Sequence, residues 1–223
     1  PSPDIFNPFS LLNAFQDRDY TNYWFSSGTP TYLIEMLRKF NVVPSDISQM
    51  QVLSSDFDAP TENMASITPL LYQSGYVTIK DYDRASRLYT LDIPNTEIRV
   101  GLMESLLPNY VEMRKEAENT TIAKMYLSLY RDNLDEMFRL LQSYRLTVPY
   151  CNDANSEGHY QQMLYVIFSL FGRYVDVEVH TSTGRVDVVM KTNKALYLFE
   201  LKMNQSAEAA LKQIDLKDYA SKF

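Results

Sequence analysis

The sequence predicts an α+β protein, that is, a mixed α/β chain in which helices and strands form separate blocks. Apolar residues recur at helical spacing through the N-terminal part, a strand-like hairpin interrupts them, and three alternating strand patterns follow near the C-terminus. Hydrophobic residues make up 45% of the 223, enough to bury a substantial core. We expect a mainly helical N-terminal part and a C-terminal part built as helix, three strands and helix.

The N-terminal elements are short and are separated by turns. Residues 10–16 and 31–40 carry apolar side chains at helical spacing, and Pro44 ends the second run. Residues 45–65 are rich in Ser, Asp, Asn and Thr, so we expect mostly loop there.

A helix, a hairpin and a second helix are predicted next. Their expected positions are 67–73 for the helix, 76–80 and 88–91 for the strands around a polar turn at 81–86, and a helix entered through Pro94, Asn95 and Thr96. This order is the outline of half a winged-helix unit, covering about 61–115. Such a unit serves either packing or DNA contact through 66–107, and its acidic surroundings favour packing.

The remaining elements lead to the segment that carries chemistry. We expect helices over about 120–130 and 134–144, a helix from Ser156 to Gly172, strands over 174–180, 185–191 and 195–202, and a closing helix over 206–220.

Charge and residue counts exclude several classes of protein. The chain has 21 basic and 28 acidic residues, a net charge of −7, which argues against a polybasic tail or non-specific coating of nucleic acid. Its single cysteine, Cys151, cannot form an internal disulfide, and with only two histidines it cannot build a Cys/His zinc site. None of the six glycines lies in a phosphate-binding loop or dinucleotide fingerprint, so ATP is not expected to bind this chain.

Targeting and membrane signals are also missing from the sequence. The longest apolar stretch without charge, residues 161–172, is much shorter than the roughly 20 residues that cross a bilayer. No signal-peptide pattern opens the chain. We therefore expect a cytoplasmic protein that does not contact membranes.

Three charged residues stand out on the predicted C-terminal strands. Glu200 and Lys202 point to the same side of an otherwise apolar strand, and Asp187 lies between two valines on the preceding strand. Antiparallel pairing can bring Asp187 close to Glu200. Two neighbouring carboxylates repel each other unless a divalent cation lies between them, and oxygen ligands select Mg²⁺ or Mn²⁺ rather than zinc. A lysine beside such a site can stabilise negative charge on a phosphate, so the set suits phosphodiester hydrolysis.

These residues resemble a known family. Asp187, followed thirteen residues later by Glu200-Leu201-Lys202, resembles the PD-(D/E)xK nuclease superfamily, and the element order over 156–223 is similar to its restriction-endonuclease-like α-β-β-β-α core. More closely, the chain resembles the nuclease-like C-terminal domain of AAA-ATPase-like proteins of Bacteroidetes and other anaerobes. The residues that carry this closer resemblance are Asn7 to Leu12, Asn22 to Phe25, Gly28 to Pro30, Glu157, Tyr160, Gly184 to Asp187, Phe199 to Lys202, Ala209 to Ile214, Tyr219 and Ala220.

The resemblance implies a role for each matching position. Asp187 and Glu200 would be ligands of Mg²⁺ or Mn²⁺, and the carbonyl of Leu201 would be a third. Lys202 would be the catalytic lysine, Glu157 an accessory acid, and Gln213 a polar contributor from the closing helix. Nucleic acid would be the substrate. Two roles stay open for Arg185, namely a contact with a phosphate of the nucleic acid and a plain surface role.

The resemblance also implies a domain division. Residues 1–131 would be the C-terminal end of the AAA-ATPase-like region, and residues 132–223 the nuclease-like domain. Because the chain begins with Pro1 and lacks a P-loop, we expect a fragment whose nucleotide-binding portion is missing. That ATPase portion is an expected partner, and a second copy of the chain, forming a homodimer, is another.

Two functions follow from this pattern. The first is a Mg²⁺-dependent nuclease attached to an ATPase module. The second is a catalytically latent nuclease fold that acts as a binding or regulatory module. The charge balance supports the second, since residues 1–131 carry 11 basic and 16 acidic residues and residues 132–223 carry 10 and 12, whereas phosphate-binding surfaces usually have a basic excess.

Overall fold

The computed structural model describes residues 8–19, 23–26, 31–58, 64–110, 115–147, 156–174, 176–182, 185–192 and 194–202. Within these residues helices combine with two antiparallel sheets, which confirms the α+β prediction. The helices are α1 (Pro8–Asp17), α2 (Tyr23–Ser26), α3 (Thr31–Lys39), α4 (Thr68–Gln73), α5 (Thr96–Leu106), α6 (Lys115–Tyr130), α7 (Leu134–Thr147) and α8 (Ser156–Leu170). The strands are β1 (Met50–Val52), β2 (Thr78–Asp83), β3 (Leu88–Asp92), β4 (Asp176–Ser182), β5 (Arg185–Lys191) and β6 (Leu196–Lys202).

The chain divides into two compact units, Pro1–Ser105 and Leu106–Phe223. Each has its own apolar core and its own three-stranded sheet among the residues described. The predicted domain boundary at residue 131 rests on the family resemblance and not on the packing of the two units. It stays a prediction.

The sheet of the first unit is centred on β3, in the order β1-β3-β2. Leu91 of β3 is fully buried and lies opposite Met50 on one side and Ile79 on the other. The pairing of β2 shifts between Ile79 and Asp81, so Lys80 is the extra residue of a bulge. Large apolar side chains with almost no solvent exposure complete the core, namely Ile47, Ile67, Leu71, Leu102 and Met103.

Strand β1 corrects the sequence-based prediction. Residues 45–65 were expected to be mostly loop, but 50–52 pair with β3, and short 3₁₀ turns flank them at Pro44–Ile47 and Ser54–Phe57. A three-residue strand is too short to show an alternating pattern, and only its partner strand and the burial of Val52 define it. Strand β2 also runs later than expected, over 78–83 rather than 76–80.

Helix α5 begins where the sequence indicated. The side-chain oxygen of Asn95 accepts a hydrogen bond from the backbone N–H of Ile98 at 2.9 Å, which satisfies one of the free donors of the first turn. In that turn the Oε1 atom of Glu97 accepts two more hydrogen bonds, from the hydroxyl of Ser10 and from the backbone N–H of Trp24, each at 3.0 Å. One carboxylate therefore fastens both α1 and α2 to the start of α5.

Helix α1 faces the protein with its less apolar side. Ser10 and Asn13 are half-buried, whereas four large apolar side chains are 38–73% exposed. These are Phe9, Leu11, Leu12 and Phe15. The hydrogen bond from Ser10 to Glu97 attaches α1 to the start of α5.

We predict that Glu97→Ala destabilises the protein by about 1–2 kcal/mol, because two hydrogen-bond donors lose a charged acceptor. Glu35→Ala is the matched control, since Glu35 is an exposed helical glutamate of the same unit. Urea denaturation followed by tryptophan fluorescence measures both changes, and Trp24 is the single tryptophan. Equal losses in the free energy of unfolding for the two variants would show that the hydrogen bonds of Glu97 do not stabilise the protein.

The second unit places α8 against one face of the sheet β4-β5-β6. Val188 and Met190 of β5 are almost completely buried, and the ring of Phe199 on β6 lies 5.6 Å from that of Phe168 on α8. In α8, Tyr165, Val166, Ile167 and Phe168 are at most 2% exposed, and so is Phe171, which directly follows the helix. The apolar face of the sheet is thus the one that α8 covers.

The turn between β5 and β6 is fastened to the corner between α6 and α7. The hydroxyl of Tyr197 donates a hydrogen bond to Oδ1 of Asp132 at 2.9 Å, and Nζ of Lys194 donates one to the carbonyl of Tyr130 at 3.0 Å. The Lys194 ammonium also lies 4.4 Å from the centre of the Tyr130 ring. These contacts fix where β6 begins.

Candidate metal and phosphodiester site

Strands β5 and β6 place Asp187 directly opposite Glu200. Residues directly opposite in an antiparallel pair point to the same face, with Cβ atoms roughly 4.5–5.5 Å apart. The predicted approach of these two carboxylates is therefore confirmed.

Side-chain alternation explains why the two carboxylates lie on the face away from α8. Val188 is buried on the α8 side, so its neighbour Asp187 points to the other face. Phe199 contacts Phe168 of α8, so Glu200 likewise points away. The apolar residues thus orient the polar ones.

Both carboxylates are shielded from water. Both residues are half-buried, and Oδ1 of Asp187 and both carboxylate oxygens of Glu200 have almost no solvent-accessible surface. Repulsion between like charges is stronger where water is excluded. A divalent cation bound by both carboxylates would turn that repulsion into attraction.

Position 202 lies on the same face as the carboxylates. Lys202 is two residues beyond Glu200 on β6 and pairs with Arg185 of β5. Leu201, between Glu200 and Lys202, pairs with Val186. The register places Asp187 opposite Glu200 and position 202 two residues farther along β6. The roles of Lys202 and of the Leu201 carbonyl stay predictions.

Two other predicted site residues are not joined to this group by the sheet. Glu157 is the second residue of α8, whose first turn is held by a contact of 3.2 Å between Nε2 of His159 and the carbonyl of Tyr110. Gln213 and the predicted closing helix lie outside the described residues. Their roles stay predictions.

His180 was missed by the sequence analysis. It is exposed and pairs with Asp187 from the other side, on β4. We predicted a strand over 174–180 and a turn from 181, whereas β4 covers 176–182. Because the register of a hairpin depends on where its turn lies, the predicted turn at 181 gave no indication that His180 pairs with Asp187.

The donor set suits a hard divalent cation. Among the described residues, no three His, Cys, Asp or Glu side chains are grouped to hold a metal, so the site centres on two carboxylates. Mg²⁺ is commonly bound by one or two protein carboxylates and completes its shell with water. Asp187 and Glu200 therefore fit Mg²⁺, and Mn²⁺ also accepts carboxylate ligands.

Comparison with known protein families assigns this part of the chain. Residues 155–223 match the family model of the PD-(D/E)XK nuclease superfamily. The match includes α8, the whole sheet of the second unit and every predicted site residue, and it confirms the predicted superfamily over this segment. Nucleases of this superfamily generally use divalent metals, in agreement with the opposed carboxylates.

A longer relative extends the similarity to the rest of the chain. The chain is 32% identical over 228 residues to a protein of Azotobacter chroococcum mcd 1 described as an uncharacterized protein in the vnfD 5' region. The alignment covers 98% of this chain and 44% of that protein, so the chain spans less than half of the relative's length. No solved structure matches the chain.

No described helix combines the length and the apolar character that a membrane span requires.

We predict that Mn²⁺ stabilises the wild-type protein, by about 2.7 kcal/mol when the free ion is at ~100 times its Kd. In the Glu200→Gln variant, most of this stabilisation by Mn²⁺ should be lost. Without metal, the same variant should be slightly more stable than wild type, because it no longer opposes two negative charges. Chemical denaturation with and without Mn²⁺ measures both effects.

The matched control for this experiment is Glu178→Gln. Glu178 lies on the same sheet, but its register partner is Val189 rather than a carboxylate. It should respond to Mn²⁺ as wild type does. If Glu200→Gln gains as much from Mn²⁺ as the control, the opposed carboxylates do not form the metal site.

Proposed function

We propose that the protein is a Mg²⁺-dependent nuclease that hydrolyses phosphodiester bonds of DNA or RNA. The observation that carries this proposal is the direct pairing of Asp187 with Glu200 inside a segment that matches a nuclease superfamily. Opposed carboxylates that are shielded from water repel each other, and a divalent cation between them would turn that repulsion into attraction. A divalent cation is the ligand that their chemistry selects.

Each residue of the site has a proposed task. Asp187 and Glu200 hold the cation, together with the carbonyl of Leu201, and the bound ion would supply Lewis-acid activation of the phosphate. The ammonium of Lys202 stabilises the negative charge that grows on the phosphate oxygens during hydrolysis. Glu157, from the first turn of α8, adds a further acid, and Gln213 a polar contact.

The acidic charge of the whole chain is compatible with this function. The carboxylates of the site contribute two negative charges to the net −7, and a divalent cation neutralises them. Binding of a phosphodiester depends on the local field at the site rather than on the net charge. Positively charged positions 185 and 202 adjoin the carboxylates on the same sheet.

We propose that the winged-helix-like part of the first unit serves packing rather than DNA contact. Helix α3, strand β1, helix α4 and strands β2 and β3 follow one another, with the sheet order β1-β3-β2. The sequence of α4 is TPLLYQ, without Lys or Arg, and half of its residues are buried. A helix of this composition is poorly suited to contact DNA phosphates, so we place the nucleic acid at the second unit.

We further propose that the chain works in the cytoplasm as part of a longer polypeptide that includes an AAA-ATPase-like portion. The relative of more than twice this length supports a longer polypeptide. The residues resembling an ATPase region, such as 7–12 and 22–25, precede the nuclease-like segment.

The proposal predicts metal-dependent cleavage that requires Asp187. Plasmid, linear duplex, single-stranded DNA and RNA are incubated with the protein in Mg²⁺ or Mn²⁺. Asp187→Asn should lower the cleavage rate by at least about 100-fold, because the cation loses a ligand and the phosphate loses its electrostatic stabilisation. Asp176→Asn, on the same sheet but opposite Lys191, should cleave like wild type.

Two outcomes would count against the nuclease. Cleavage that Asp187→Asn leaves unchanged would come from a contaminant or another site. Mn²⁺ binding by calorimetry that requires Glu200, combined with no cleavage of any of these substrates, would favour the alternative, a latent nuclease fold that binds or regulates a partner.

A further inference from the structure

A histidine extends the row of residues that contains the two carboxylates. Strand β4 pairs with β5 so that His180 lies directly opposite Asp187, which in turn lies directly opposite Glu200 on β6. Directly opposite residues of antiparallel strands point to the same face of a sheet. One imidazole and two carboxylates therefore form a row across the three strands, on the face away from α8.

The packing of β4 supports this placement of the imidazole. Val179, the neighbour of His180, lies opposite Val188 of β5, which is almost completely buried on the side that α8 covers. Because successive side chains of a strand point to opposite faces, His180 points away from α8. The alternation that orients Asp187 thus also orients His180.

The members of this row differ in their exposure to solvent. Oδ1 of Asp187 and both carboxylate oxygens of Glu200 have almost no accessible surface, whereas His180 is an exposed residue. The row thus runs from shielded carboxylates on β5 and β6 to an exposed imidazole on β4. A ligand that arrives from solvent can reach the imidazole while it binds beside the carboxylates.

The imidazole adjoins the proposed metal site without being one of its ligands. Within the described ranges, no three His, Cys, Asp or Glu side chains form a group that could hold a metal ion. His180 lies one strand spacing from Asp187, about 4.8 Å, and two spacings from Glu200. Its role is therefore to be sought in contact with the substrate rather than with the cation.

An exposed imidazole beside a metal site suits contact with a phosphate. An imidazole carries at least one N–H donor in either protonation state, and phosphate oxygens accept hydrogen bonds. A phosphodiester has more than one non-bridging oxygen, so one oxygen can meet the cation while another accepts from the imidazole. A strand spacing of about 4.8 Å is within the reach of one such group.

A hydrogen bond from His180 to Asp187 is the competing explanation, in which the imidazole only orients the carboxylate. Loss of the imidazole would then weaken metal binding and nucleic acid binding together. A contact with the phosphate predicts weaker binding of nucleic acid alone. The exposure of His180 favours the phosphate contact, because a group that only oriented a shielded carboxylate would need no access to solvent.

We propose that His180 is a substrate-binding residue, whose imidazole donates a hydrogen bond to a phosphate oxygen of the nucleic acid bound at the carboxylates. This inference rests on the proposed nuclease function and deepens it. Because the imidazole contacts the phosphate and not the cation, its loss should weaken the binding of nucleic acid and leave the affinity for metal unchanged.

The test compares the wild-type chain with His180→Leu, whose side chain is of similar size but has no donor. Cleavage of a fluorescein-labelled oligonucleotide in Mn²⁺ gives kcat/KM, and calorimetry without nucleic acid gives the Mn²⁺ Kd. Oligonucleotide affinity is measured by anisotropy in Mn²⁺ on a Lys202→Ala background, which keeps both carboxylates and lacks the proposed catalytic ammonium. His180→Leu should lower kcat/KM and oligonucleotide affinity by about tenfold, because a hydrogen bond to a charged group is lost. The Mn²⁺ Kd should stay at its wild-type value.

Two further variants sharpen the result. His180→Gln keeps an N–H donor, so it should recover part of the kcat/KM that His180→Leu loses. Glu178→Gln is the matched control, since position 178 lies on the same strand and the same face with Val189 as its register partner, and it should cleave at least as fast as wild type. His180→Ala replaces His180→Leu if the leucine variant does not fold.

Each contrary result has a distinct meaning. Unchanged kcat/KM and oligonucleotide affinity in His180→Leu, together with wild-type cleavage that requires Asp187, would overturn this inference alone. A loss of Mn²⁺ affinity as large as the loss of oligonucleotide affinity would also overturn it, since His180 would then act through Asp187. If the wild-type protein neither binds Mn²⁺ nor cleaves nucleic acid, the nuclease proposal fails, and this inference fails with it.

Discussion

The register of β5 against β6 is the constraint on which the site depends. It places Asp187 directly opposite Glu200, on the face of the sheet away from α8. A slip of one residue would turn one carboxylate toward α8 and leave the other facing a different partner. The proposed metal site would then be lost, although every residue of the motif would still be present in the sequence.

Contacts away from the site fix that register. On the α8 face, Val188 and Met190 are buried, and Phe199 contacts Phe168, so neither strand can slip without exposing apolar surface. Near the start of β6, the hydroxyl of Tyr197 donates a hydrogen bond to Asp132. The position of Asp187 and Glu200 on their face of the sheet is therefore set by residues outside the proposed site.

The sequence could predict β5 and the approach of Asp187 to Glu200, because alternating valines and a glycine turn define that strand clearly. It could not predict β1, whose three residues show no period of their own and depend on β3. The roles of His180 and Ser182 as register partners were hidden because β4 starts and ends two residues later than expected. Glu157 could be placed on a helix but not in relation to the carboxylates, since helix-to-sheet geometry is set by tertiary packing.

The central claim is that Asp187 and Glu200 together bind a divalent cation. Crystals grown with Mn²⁺, measured at a wavelength with anomalous scattering from manganese, test it most directly. The account predicts one anomalous peak within bonding distance of carboxylate oxygens of both residues, and its loss in Glu200→Gln crystals. Absence of the peak from wild-type crystals with millimolar Mn²⁺, or an unchanged peak in the variant, would contradict it.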